Sequence, residues 1–474
     1  MQAIPAAWRA HVGRLGRQLL RRDVSAIRIR PPRRRVPRSV GRAIIALLSS
    51  LVALIAAAVP AQAATHTETI LFNGGNETLN GVTYHSFRIP SLVRLHDTNN
   101  TLLAFAEGRT SSNHDWGNIN VVFKRSQDNG VTWTDGNGVE GALGQVVGST
   151  LGTWGNPTAV VSADNTVYLF LEYNPAGTCE KCNTGTENTD YTNITEWDQR
   201  QVYLTKSSDL GTTWSTPVNM SDPVNGSDAL KPRLKDPSDS TSTWAFDVVG
   251  PGVGTTLSDG TLVVPAMHRN FYSTDQGTTW HDSLIENQST GKLQKGTGEG
   301  TVLAVTDGTT AGAGTYNTLY RNDREYVTSP VHKRMVTRGT ISGGYGVFAQ
   351  DSTLNDPGNE GSILRYNTSS PPRILFMNSN SPTAADSTLT RQKMLVRVSC
   401  DEGKTWKYSR YLSDSPLPVT GEGGYSSMAK TADGFAGALV EVNEDTGNSD
   451  TSHRSIAFRK FNVTWILDGE TDCS

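Results

Sequence analysis

The feature that most constrains the fold of this chain is an eight-residue pattern, S-x-D-x-G-x-T-W. It occurs four times, at Ser126–Trp133, Ser207–Trp214, Ser273–Trp280 and Ser399–Trp406. An aspartate followed two residues later by a glycine is typical of a tight turn, because the carboxylate accepts hydrogen bonds from the turn amides and the glycine supplies a positive φ. The tryptophan gives the turn a large apolar anchor. The pattern therefore predicts a repeated β-hairpin unit with a structural role.

The spacing of the copies predicts how many sheets the chain forms. Successive copies start 81, 66 and 126 residues apart, so the last interval is about twice the one before it. A degenerate copy is therefore expected at Arg338–Tyr345, and steps of about 65 residues leave room for one more unit. Six antiparallel sheets arranged radially form a six-bladed β-propeller, so we predict an all-β fold of this kind. Frequent Gly, Asn, Asp, Ser and Pro residues agree with it.

The first 63 residues differ from the rest of the chain. Met1–Arg42 contains twelve arginines and one acidic residue, and the apolar run Ala43–Ala58 follows, with small residues just before a cleavage point after Ala63. This is the order of a secretory signal. We predict a signal segment over residues 1–63, a propeller over residues 64–474 and a secreted protein. The alternative is an uncleaved membrane anchor, although the run is shorter than the roughly 20 residues of a spanning helix.

The charge of the chain limits which classes of binding partner are expected. The full sequence has 43 basic and 46 acidic residues and a net charge of −3. Removing the twelve arginines and one acidic residue of the predicted signal leaves 31 basic against 45 acidic residues, a net charge of −14. Such an acidic protein is unsuited to binding nucleic acid or an anionic membrane through its overall field. We predict neither partner, and we expect a monomer.

The four cysteines favour disulfides over a metal site. Cys179 and Cys182 form a C-x-x-C pair, but no second pair at metal-binding spacing accompanies it. A local disulfide between them is the favoured interpretation, and Cys400 with Cys473 could form the second. Four cysteines allow three pairings, and the sequence does not choose among them. Neither a metal nor a cofactor is predicted.

Ahead of the first repeat stands the segment Ser86-Phe-Arg-Ile-Pro90. This segment and the four repeats together resemble the sialidases (neuraminidases), in particular the secreted bacterial and fungal glycoside hydrolases. The resemblance covers essentially all of the chain after residue 63, and only the combination of motifs is specific. It implies an exo-sialidase that hydrolyses terminal α-linked sialic acids from glycoproteins, glycolipids or oligosaccharides with retention of configuration.

The resemblance also implies a cluster of arginines that binds the carboxylate of the substrate. Guanidinium groups match carboxylates bidentately and stay charged at any working pH. By similarity with the family motifs, the three members are Arg88, Arg324 and Arg391, with Arg321 as the alternative to Arg324. Arg109 is similar to an additional arginine that contacts the substrate.

Three further residues are similar to the catalytic groups of the family. Asp115 lies in a loop that resembles the position of the acid/base, which protonates the departing oxygen and later deprotonates water. The neighbouring His114 is interpreted as a solvent-facing side chain. Tyr425 is similar to the nucleophile, and because a phenol is a weak nucleophile it needs a base. Glu299 is similar to that base, and Glu360 is the competing choice.

A catalytically silent sialic-acid-binding propeller, a lectin or adhesion module, is the second hypothesis. A lectin needs the arginines but no nucleophile, so the set Asp115, Glu299 and Tyr425 distinguishes the two hypotheses. The third hypothesis is a glycosidase or lyase that acts on another sugar. Such an enzyme would have no use for three arginines directed at a carboxylate.

Overall fold

A computed structural model of the chain describes the residues after position 62, apart from several internal gaps. The described ranges are 63–180, 182, 191–233, 244–294, 296–308, 314–326, 332–380, 391, 393–412, 419–444, 453–470 and 472–473. They lie in one compact unit, Gln62–Ser474. The segment interpreted as an export signal lies outside the described residues, so that interpretation stays a prediction. None of the helices within the described ranges is long and apolar enough to cross a membrane.

The described chain is almost entirely β-structure, as predicted. The strands of the first third are β1 His66–Phe72, β2 Thr78–Leu79, β3 Val82–Thr83, β4 Ser86–Arg94, β5 Leu102–Arg109, β6 Ile119–Ser126, β7 Gly144–Val147, β8 Thr153–Val161, β9 Val167–Asn174, β10 Thr178–Cys179 and β11 Thr192–Asn193. Those of the middle are β12 Gln201–Ser207, β13 Val218–Asn219, β14 Gly252–Val253, β15 Thr255–Thr256, β16 Leu262–Ala266, β17 Arg269–Ser273, β18 His281–Leu284, β19 Thr297–Val305, β20 Thr318–Glu325, β21 Lys333–Thr340, β22 Gly344–Tyr345 and β23 Ala349–Asn355. The last are β24 Ser362–Asn367, β25 Arg373–Ser379, β26 Met394–Ser399, β27 Tyr408–Tyr411, β28 Val419–Lys430, β29 Ala436–Glu444 and β30 Ser455–Phe461. A 3-10 turn at Trp197–Gln199 and a short helix α1, Val463–Leu467, complete the described elements.

The larger sheets pack against one another in a ring. Within the described residues, three sheets have four strands, one has five and one has nine, beside two short two-stranded pairs. In the nine-stranded sheet a single residue pair, Ile119 with Thr153, joins β6 to β8. The inner strands contact their neighbours in a closed cycle in which β28 returns to β4. The fold is therefore a β-propeller, and its inner strand β4 and the neighbouring strand β5 are buried along almost their whole length.

The first described strand closes the ring. β1 pairs with β30 in the sheet that also contains β28 and β29, so the two ends of the described chain share one sheet. Apolar side chains of this sheet, among them Leu439 and Phe458, share a core cluster with Leu102 and Ala104 of β5. Closure of this kind removes exposed sheet edges, which are a site of unwanted strand pairing.

The four repeats form the predicted turns at the ends of β6, β12, β17 and β26. In the third copy Asp275 accepts hydrogen bonds from the Ser273 hydroxyl at 2.8 Å and from the Thr279 amide and hydroxyl at 2.9 and 2.7 Å. Trp280 then packs edge-on against Phe170 of the neighbouring sheet, with ring centres 4.8 Å apart. Each repeat is thus a turn that is stabilised by hydrogen bonds to its own aspartate, and its tryptophan contacts the core. The expected degenerate copy is also a turn, between the end of β21 at Thr340 and the start of β22.

Both favoured disulfides are present. Cys179 is bonded to Cys182, and Cys400 is bonded to Cys473. The first lies at the start of the long connection after β9. The second ties the fourth repeat to the segment after α1, 73 positions along the chain. The structure therefore chooses one pairing from the three that the sequence leaves open.

Four inner strands carry β-bulges near one end. Their register shifts lie at Arg88/Ser91 in β4, Gly155/Thr158 in β8, Thr297/Gly300 in β19 and Glu422/Ser426 in β28. A bulge bends a strand and changes the direction of its side chains, which is common beside active sites. Two of the bulges place a non-glycine residue at positive φ, Ile89 at 56° and Asn156 at 52°. A β-branched residue in this region is strained, which makes the bulged ends a candidate functional region.

Candidate active site

A pocket of about 210 Å³ is lined by residues from all four bulged strands. Every residue that the resemblance implies for the site lies on its wall. These seven are Arg88, Arg109, Asp115, Glu299, Arg324, Arg391 and Tyr425. The ring of sheets thus brings together side chains that are hundreds of positions apart in the sequence.

Tyr425, Glu299 and Arg324 form one hydrogen-bonded group. The Tyr425 hydroxyl donates to Glu299 Oε1. Arg324 Nη1 donates to Glu299 Oε2 at 2.8 Å and to the Tyr425 hydroxyl oxygen at 3.2 Å. The antiparallel pairing of β19 with β20 places Glu299 opposite Arg324 across the two strands. Their separation of 25 positions in the chain therefore has no bearing on how close they lie in space.

The environment of Tyr425 keeps its hydroxyl protonated until a base removes the proton. Burial and then the charge of Glu299 raise the pKa of Tyr425 well above its ordinary value, while Arg324 and Arg391 act in the opposite direction. The guanidinium carbons of Arg88 and Arg391 each lie 5.5 Å from the centre of the Tyr425 ring. A phenol beside a carboxylate and several cations is the arrangement expected of an activated tyrosine.

Arg88 is held by Glu441, a residue that the sequence did not point to. Arg88 Nε and Nη2 donate to the two Glu441 oxygens at 3.1 Å each. Glu441 also accepts from the amides of Ile89 at 2.9 Å and Tyr425 at 3.0 Å. One buried carboxylate therefore fixes an arginine of the wall, the strained bulge at Ile89 and the backbone of Tyr425.

Asp115 lies between two arginines. Its Oδ1 is 2.7 Å from Arg109 Nη1 and 3.4 Å from Arg88 Nη1. The walls of the pocket remove part of the water around Asp115 and so oppose its charge, but the guanidinium groups of Arg109 and Arg88 outweigh this effect and lower the pKa of Asp115. Its side chain is nevertheless 61% exposed, so water weakens these interactions and the carboxyl group is accessible to a ligand. Arg109 is in turn anchored by Glu107, whose Oε2 accepts from its Nη2 at 2.6 Å.

Arg391 reaches the pocket from the segment that leads into β26. Its Nη2 donates to the Gly358 carbonyl at 3.0 Å, and the side chain lines the wall beside Tyr425. Arg391 is flanked by residues 381–390 and 392, which lie outside the described residues.

Arg321, the alternative to Arg324, does not line the pocket. It is fully buried, and its Nε and Nη2 donate to the two Asp323 oxygens at 2.9 and 3.0 Å. Its Nη1 donates to Asn270 at 2.7 Å. These contacts use the guanidinium group to join β20 to β17, so Arg324 is the arginine of this segment that faces the cavity.

Glu360, the competitor of Glu299, also lies off the pocket wall. It is buried, accepts from the Ser426 amide at 3.0 Å, and its pKa is raised well above the ordinary value by burial. The contact supports the backbone next to Tyr425. Of the two glutamates, Glu299 is the one that touches the tyrosine hydroxyl.

Part of the wall was missed by the sequence interpretation. Glu172 Oε2 accepts from Arg200 Nε at 3.0 Å and from Asn156 Nδ2 at 2.7 Å, and the Arg200 guanidinium lies 4.9 Å from the centre of the Phe246 ring. All four side chains line the pocket. Burial raises the pKa of Glu172 to about 7, although Arg200 opposes the shift. The sequence did contain one indication of the position of Asn156. It precedes a proline just as Ile89 does, and both residues lie at bulges.

The chemistry of the wall suits an anionic ligand. Arginines converge on it from several strands, and guanidinium groups bind carboxylates well. Among the residues that the structure describes, no group of three or more His, Cys, Asp or Glu side chains could hold a metal ion. A tyrosine–glutamate pair together with a separate accessible aspartate can supply a nucleophile, a base and an acid.

Sequence comparisons identify relatives over most of the chain. A family profile described as "BNR repeat-like domain" matches residues 100–438. A protein of Aspergillus fumigatus named Exo-alpha-sialidase is 40% identical over 450 residues, which cover 90% of this chain and 98% of that protein. An Exo-alpha-sialidase of Arthroderma benhamiae is also 40% identical, over 85% of this chain and 91% of its own length.

Structural comparisons show the same fold in solved sialidases. The Hadza microbial sialidase Hz136 matches with a TM-score of 0.59 at 22% identity, covering 84% of this chain and 69% of that structure. Trypanosoma rangeli sialidase matches with a TM-score of 0.58 at 18% identity, covering 86% of this chain and 61% of that structure. At these low sequence identities the solved structures show only that the fold is shared. The two fungal relatives, at 40% identity, show the family. With such relatives and such a pocket, this chain belongs to the sialidases, a family of glycoside hydrolases.

Proposed function

We propose that this protein is an exo-sialidase that hydrolyses terminal α-linked sialic acids from glycoproteins, glycolipids or oligosaccharides with retention of configuration. The observation that carries the proposal is the hydrogen bond from the Tyr425 hydroxyl to Glu299 within a pocket lined by arginines. The 40% identity to two fungal proteins named Exo-alpha-sialidase supports the choice of substrate. A lectin would need the arginines alone.

Arg88, Arg324 and Arg391 bind the carboxylate that the sugar carries on its anomeric carbon. All three line the pocket around Tyr425, and Glu441 fixes Arg88 in place through two hydrogen bonds. Binding through fixed guanidinium groups holds the anomeric carbon close to the Tyr425 hydroxyl. Such positioning lowers the entropy cost of the reaction. Arg109 adds positive charge beside Asp115.

In the first step Tyr425 attacks the anomeric carbon and Glu299 accepts the phenolic proton. Asp115 enters this step in its protonated form, because the carboxylate of the bound substrate offsets the arginine charges that lower the pKa of Asp115 in the free protein. It donates its proton to the glycosidic oxygen, so the bond to the leaving glycan breaks as the bond to Tyr425 forms. In the second step Asp115 takes a proton from water, the water attacks the anomeric carbon, and the phenolate leaves and recovers its proton from Glu299. Two inversions at one carbon give net retention.

A tyrosine fits this substrate better than a carboxylate nucleophile would. The substrate places a negative charge on the reacting carbon, and a carboxylate would be repelled by it. A neutral phenol approaches without that repulsion. Arg324 donates to the Tyr425 oxygen at 3.2 Å and so stabilises the phenolate when it leaves.

The architecture and location complete the proposal. We take the nine-stranded sheet as two blades that meet at the single pair Ile119–Thr153, which gives six blades. The six inner strands β4, β8, β16, β19, β24 and β28, each in contact with the next, support that number. Residues 1–63 direct export, and the mature enzyme acts outside the cell as a monomer on sialylated glycoconjugates.

The test is release of fluorophore from an aryl sialoside. The wild-type protein should turn over this substrate, and Tyr425→Phe should lower the rate by about 1,000-fold because the nucleophile is gone. Tyr168→Phe is the matched control, since its hydroxyl also donates a hydrogen bond, to Gln276, but lies outside the pocket. The first product detected by NMR should be the α-anomer. Absent turnover by the wild type, or undiminished turnover by Tyr425→Phe, contradicts the proposal.

A further inference from the structure

The backbone around Tyr425 is held by side chains. The register between β28 and β29 shifts between Glu422 and Ser426, and Gly424 within this bulge has a φ of 111°. Three successive amides of the bulge donate to side-chain oxygens: Gly424 to Ser379 at 2.8 Å, Tyr425 to Glu441 at 3.0 Å and Ser426 to Glu360 at 3.0 Å. The orientation of the tyrosine depends on such contacts, because a bulge interrupts the ladder that would otherwise fix the strand.

Asn359 and Glu360 contact the bulge on both sides of Tyr425. These two residues stand between β23 and β24, and both are buried. Asn359 Nδ2 donates to the Gly424 carbonyl, and Glu360 Oε2 accepts from the Ser426 amide. The residues immediately before and after the tyrosine are thus bonded to two consecutive side chains. No step of the proposed mechanism uses either of them.

The same segment between β23 and β24 also contacts the arginines of the pocket or their neighbours. The Gly358 carbonyl accepts from Arg391 Nη2 at 3.0 Å. Asp356 Oδ2 accepts from the amide of Glu325 at 2.7 Å, and Glu325 follows Arg324 in the chain. The segment therefore connects the positions of two arginines to the backbone of the tyrosine.

This segment is itself fixed by Arg334, which is fully buried. Arg334 Nη1 donates to the Asn359 carbonyl at 2.7 Å. Its Nε and Nη2 donate to the side chain and the carbonyl of Asn322 at 2.7 and 2.9 Å. A segment that is anchored in this way can hold a reacting group within the narrow limits that catalysis requires.

The carboxyl group of Glu360 is uncharged. Burial raises the pKa of Glu360 well above its ordinary value, although the Ser426 amide and Arg334 oppose the shift. The carboxylates of Glu299 and Glu441 add to it. A neutral carboxyl group still accepts a hydrogen bond from the Ser426 amide, and it adds no negative charge beside the base Glu299. Glutamine offers the same shape and the same acceptor.

We propose that Glu360 and Asn359 are positioning residues that set the place of the Tyr425 hydroxyl relative to the arginines that hold the substrate carboxylate. This inference rests on the proposed function. The hydroxyl must meet the carbon whose carboxylate the arginines hold, so a displaced bulge slows the attack and leaves carboxylate binding unchanged. Neither residue lines the pocket. They act through Tyr425 and take no part in proton transfer.

The experiment compares a variant that removes the acceptor with one that keeps it. Glu360→Met leaves the Ser426 amide without an acceptor, and kcat on an aryl sialoside should fall by about 10-fold while KM changes by less than about 2-fold. Glu360→Gln keeps the acceptor, and its kcat should stay within about 2-fold of the wild type. Each kcat is expressed per functional site, counted by calorimetric titration with a 2,3-unsaturated sialic acid analogue, so that a loss of folded protein is not read as a loss of rate.

Two further variants complete the test. Asn359→Ala removes the donor on the other side of Tyr425 and should lower kcat by about 3-fold at unchanged KM. It decides the question if Glu360→Met does not fold. Ser221→Ala is the matched control, since its hydroxyl oxygen accepts from the buried Val202 amide at 2.9 Å but lies outside the pocket. Its kcat per site should equal that of the wild type.

The outcomes separate a positioning role from the alternatives. A loss of kcat in Glu360→Met that Glu360→Gln does not share supports the inference. An unchanged kcat per site in both Glu360→Met and Asn359→Ala overturns it, and so does an equal loss in Glu360→Gln, which would mean that the charge matters and the contact does not. A rise in KM at constant kcat also overturns it, because the residues would then act on substrate binding. If the wild type does not turn over the aryl sialoside, the proposed function fails and the inference fails with it. The other contradicting results remove the inference alone.

Discussion

The repeated turns and the pocket are built in opposite ways. In the third repeat the hydrogen bonds of Asp275 join residues no more than four positions apart. In the pocket, Arg88 and Glu441 are 353 positions apart, and Tyr425 and Glu299 are 126 apart. A turn can form from its own sequence, whereas the pocket exists only after the ring of sheets has closed. Repetition therefore supplies the scaffold, and the differences between repeats supply the chemistry.

The charged groups of the two regions also differ. Asp275 is exposed, and the slight loss of water around it opposes its charge, but hydrogen bonds from Thr279 and Ser273 outweigh this effect and lower the pKa of Asp275 to about 2. The pKa of Tyr425 is instead raised, by burial and by the charge of Glu299. We therefore expect the effects of substituting turn aspartates on stability to be additive. We expect the effects of substituting pocket residues on activity to be non-additive.

The largest expected effect tests whether the pocket residues act as a group. Tyr425→Phe and Glu299→Gln should each lower kcat on a sialoside by about 1,000-fold, and the double variant should lose little more than either single variant. The physical reason is that a nucleophile without its base, or a base without its nucleophile, already lacks the proton transfer. A double-mutant cycle of kcat measures this. A double variant with the product of the two losses would show that the residues act separately.

The largest effect on the free energy of unfolding is expected for a substitution of Gly277, the glycine of the third repeat. Gly277 has a φ of 83°, and a Cβ there would lie 2.2 Å from Tyr168 Cζ. Gly277→Ala should lower the free energy of unfolding by about 3 kcal/mol, through backbone strain and steric overlap. Gly434→Ala is the matched control, since its φ is 91° and nothing lies within 4 Å of the added Cβ. Denaturant unfolding measures both variants, and equal losses would mean that contact with the neighbouring sheet is unimportant.

A smaller effect on stability is expected at the turn aspartates. Asp275→Ala and Asp128→Ala should each lower the free energy of unfolding by about 1 to 2 kcal/mol, because turn amides and hydroxyls lose their acceptor. The two turns share no contacts, so the losses should add in the double variant. The kcat of the folded protein should stay unchanged. Denaturant unfolding and kinetics measure both, and strong non-additivity would show that the repeats are coupled.

The smallest effect concerns pH. Because the pKa of Asp275 lies at about 2 in the folded chain, below its ordinary value of 3.8, its contribution to stability is complete above that ordinary value. The contribution is lost as the pH falls through about 2. Asp275→Asn should therefore reduce the fall in melting temperature between pH 4 and pH 2 relative to the wild type, as measured by calorimetry. An identical fall in both proteins would mean that this turn contributes nothing to acid sensitivity.

The fold was more predictable than the site. The repeats carry their turn chemistry in consecutive residues, so their positions, the all-β class and the hidden turn after Thr340 follow from the pattern alone. The site residues were proposed by resemblance, and the structure gathers all seven around one pocket. The resemblance favoured Arg324 and Glu299, with Arg321 and Glu360 as alternatives, and the structure shows which of them line the pocket. Arg321 and Arg324 are three residues apart in one strand, so their side chains point to opposite faces. Glu299 and Glu360 stand in different segments, and only the packing of the sheets brings Glu299 to the Tyr425 hydroxyl.

The residues that escaped prediction share a physical reason. Glu441 and Glu172 stand in strands whose local sequence is ordinary, and only their partners make them important. Glu441 binds Arg88 from the other end of the chain, and Glu172 binds Arg200, which lies just before the next strand of its sheet. Asn156 could have been found from the sequence, because it precedes a proline just as Ile89 does, and both residues lie at bulges.

The sequence by itself determined the four repeated turns, their spacing and the family, because each depends on residues that are close together in the chain or on motifs that combine along it. The tertiary structure alone decided which arginines and which glutamate face the pocket and what holds them there. These properties depend on strand register, bulges and closure of the ring, which place side chains in contact regardless of their separation in the chain.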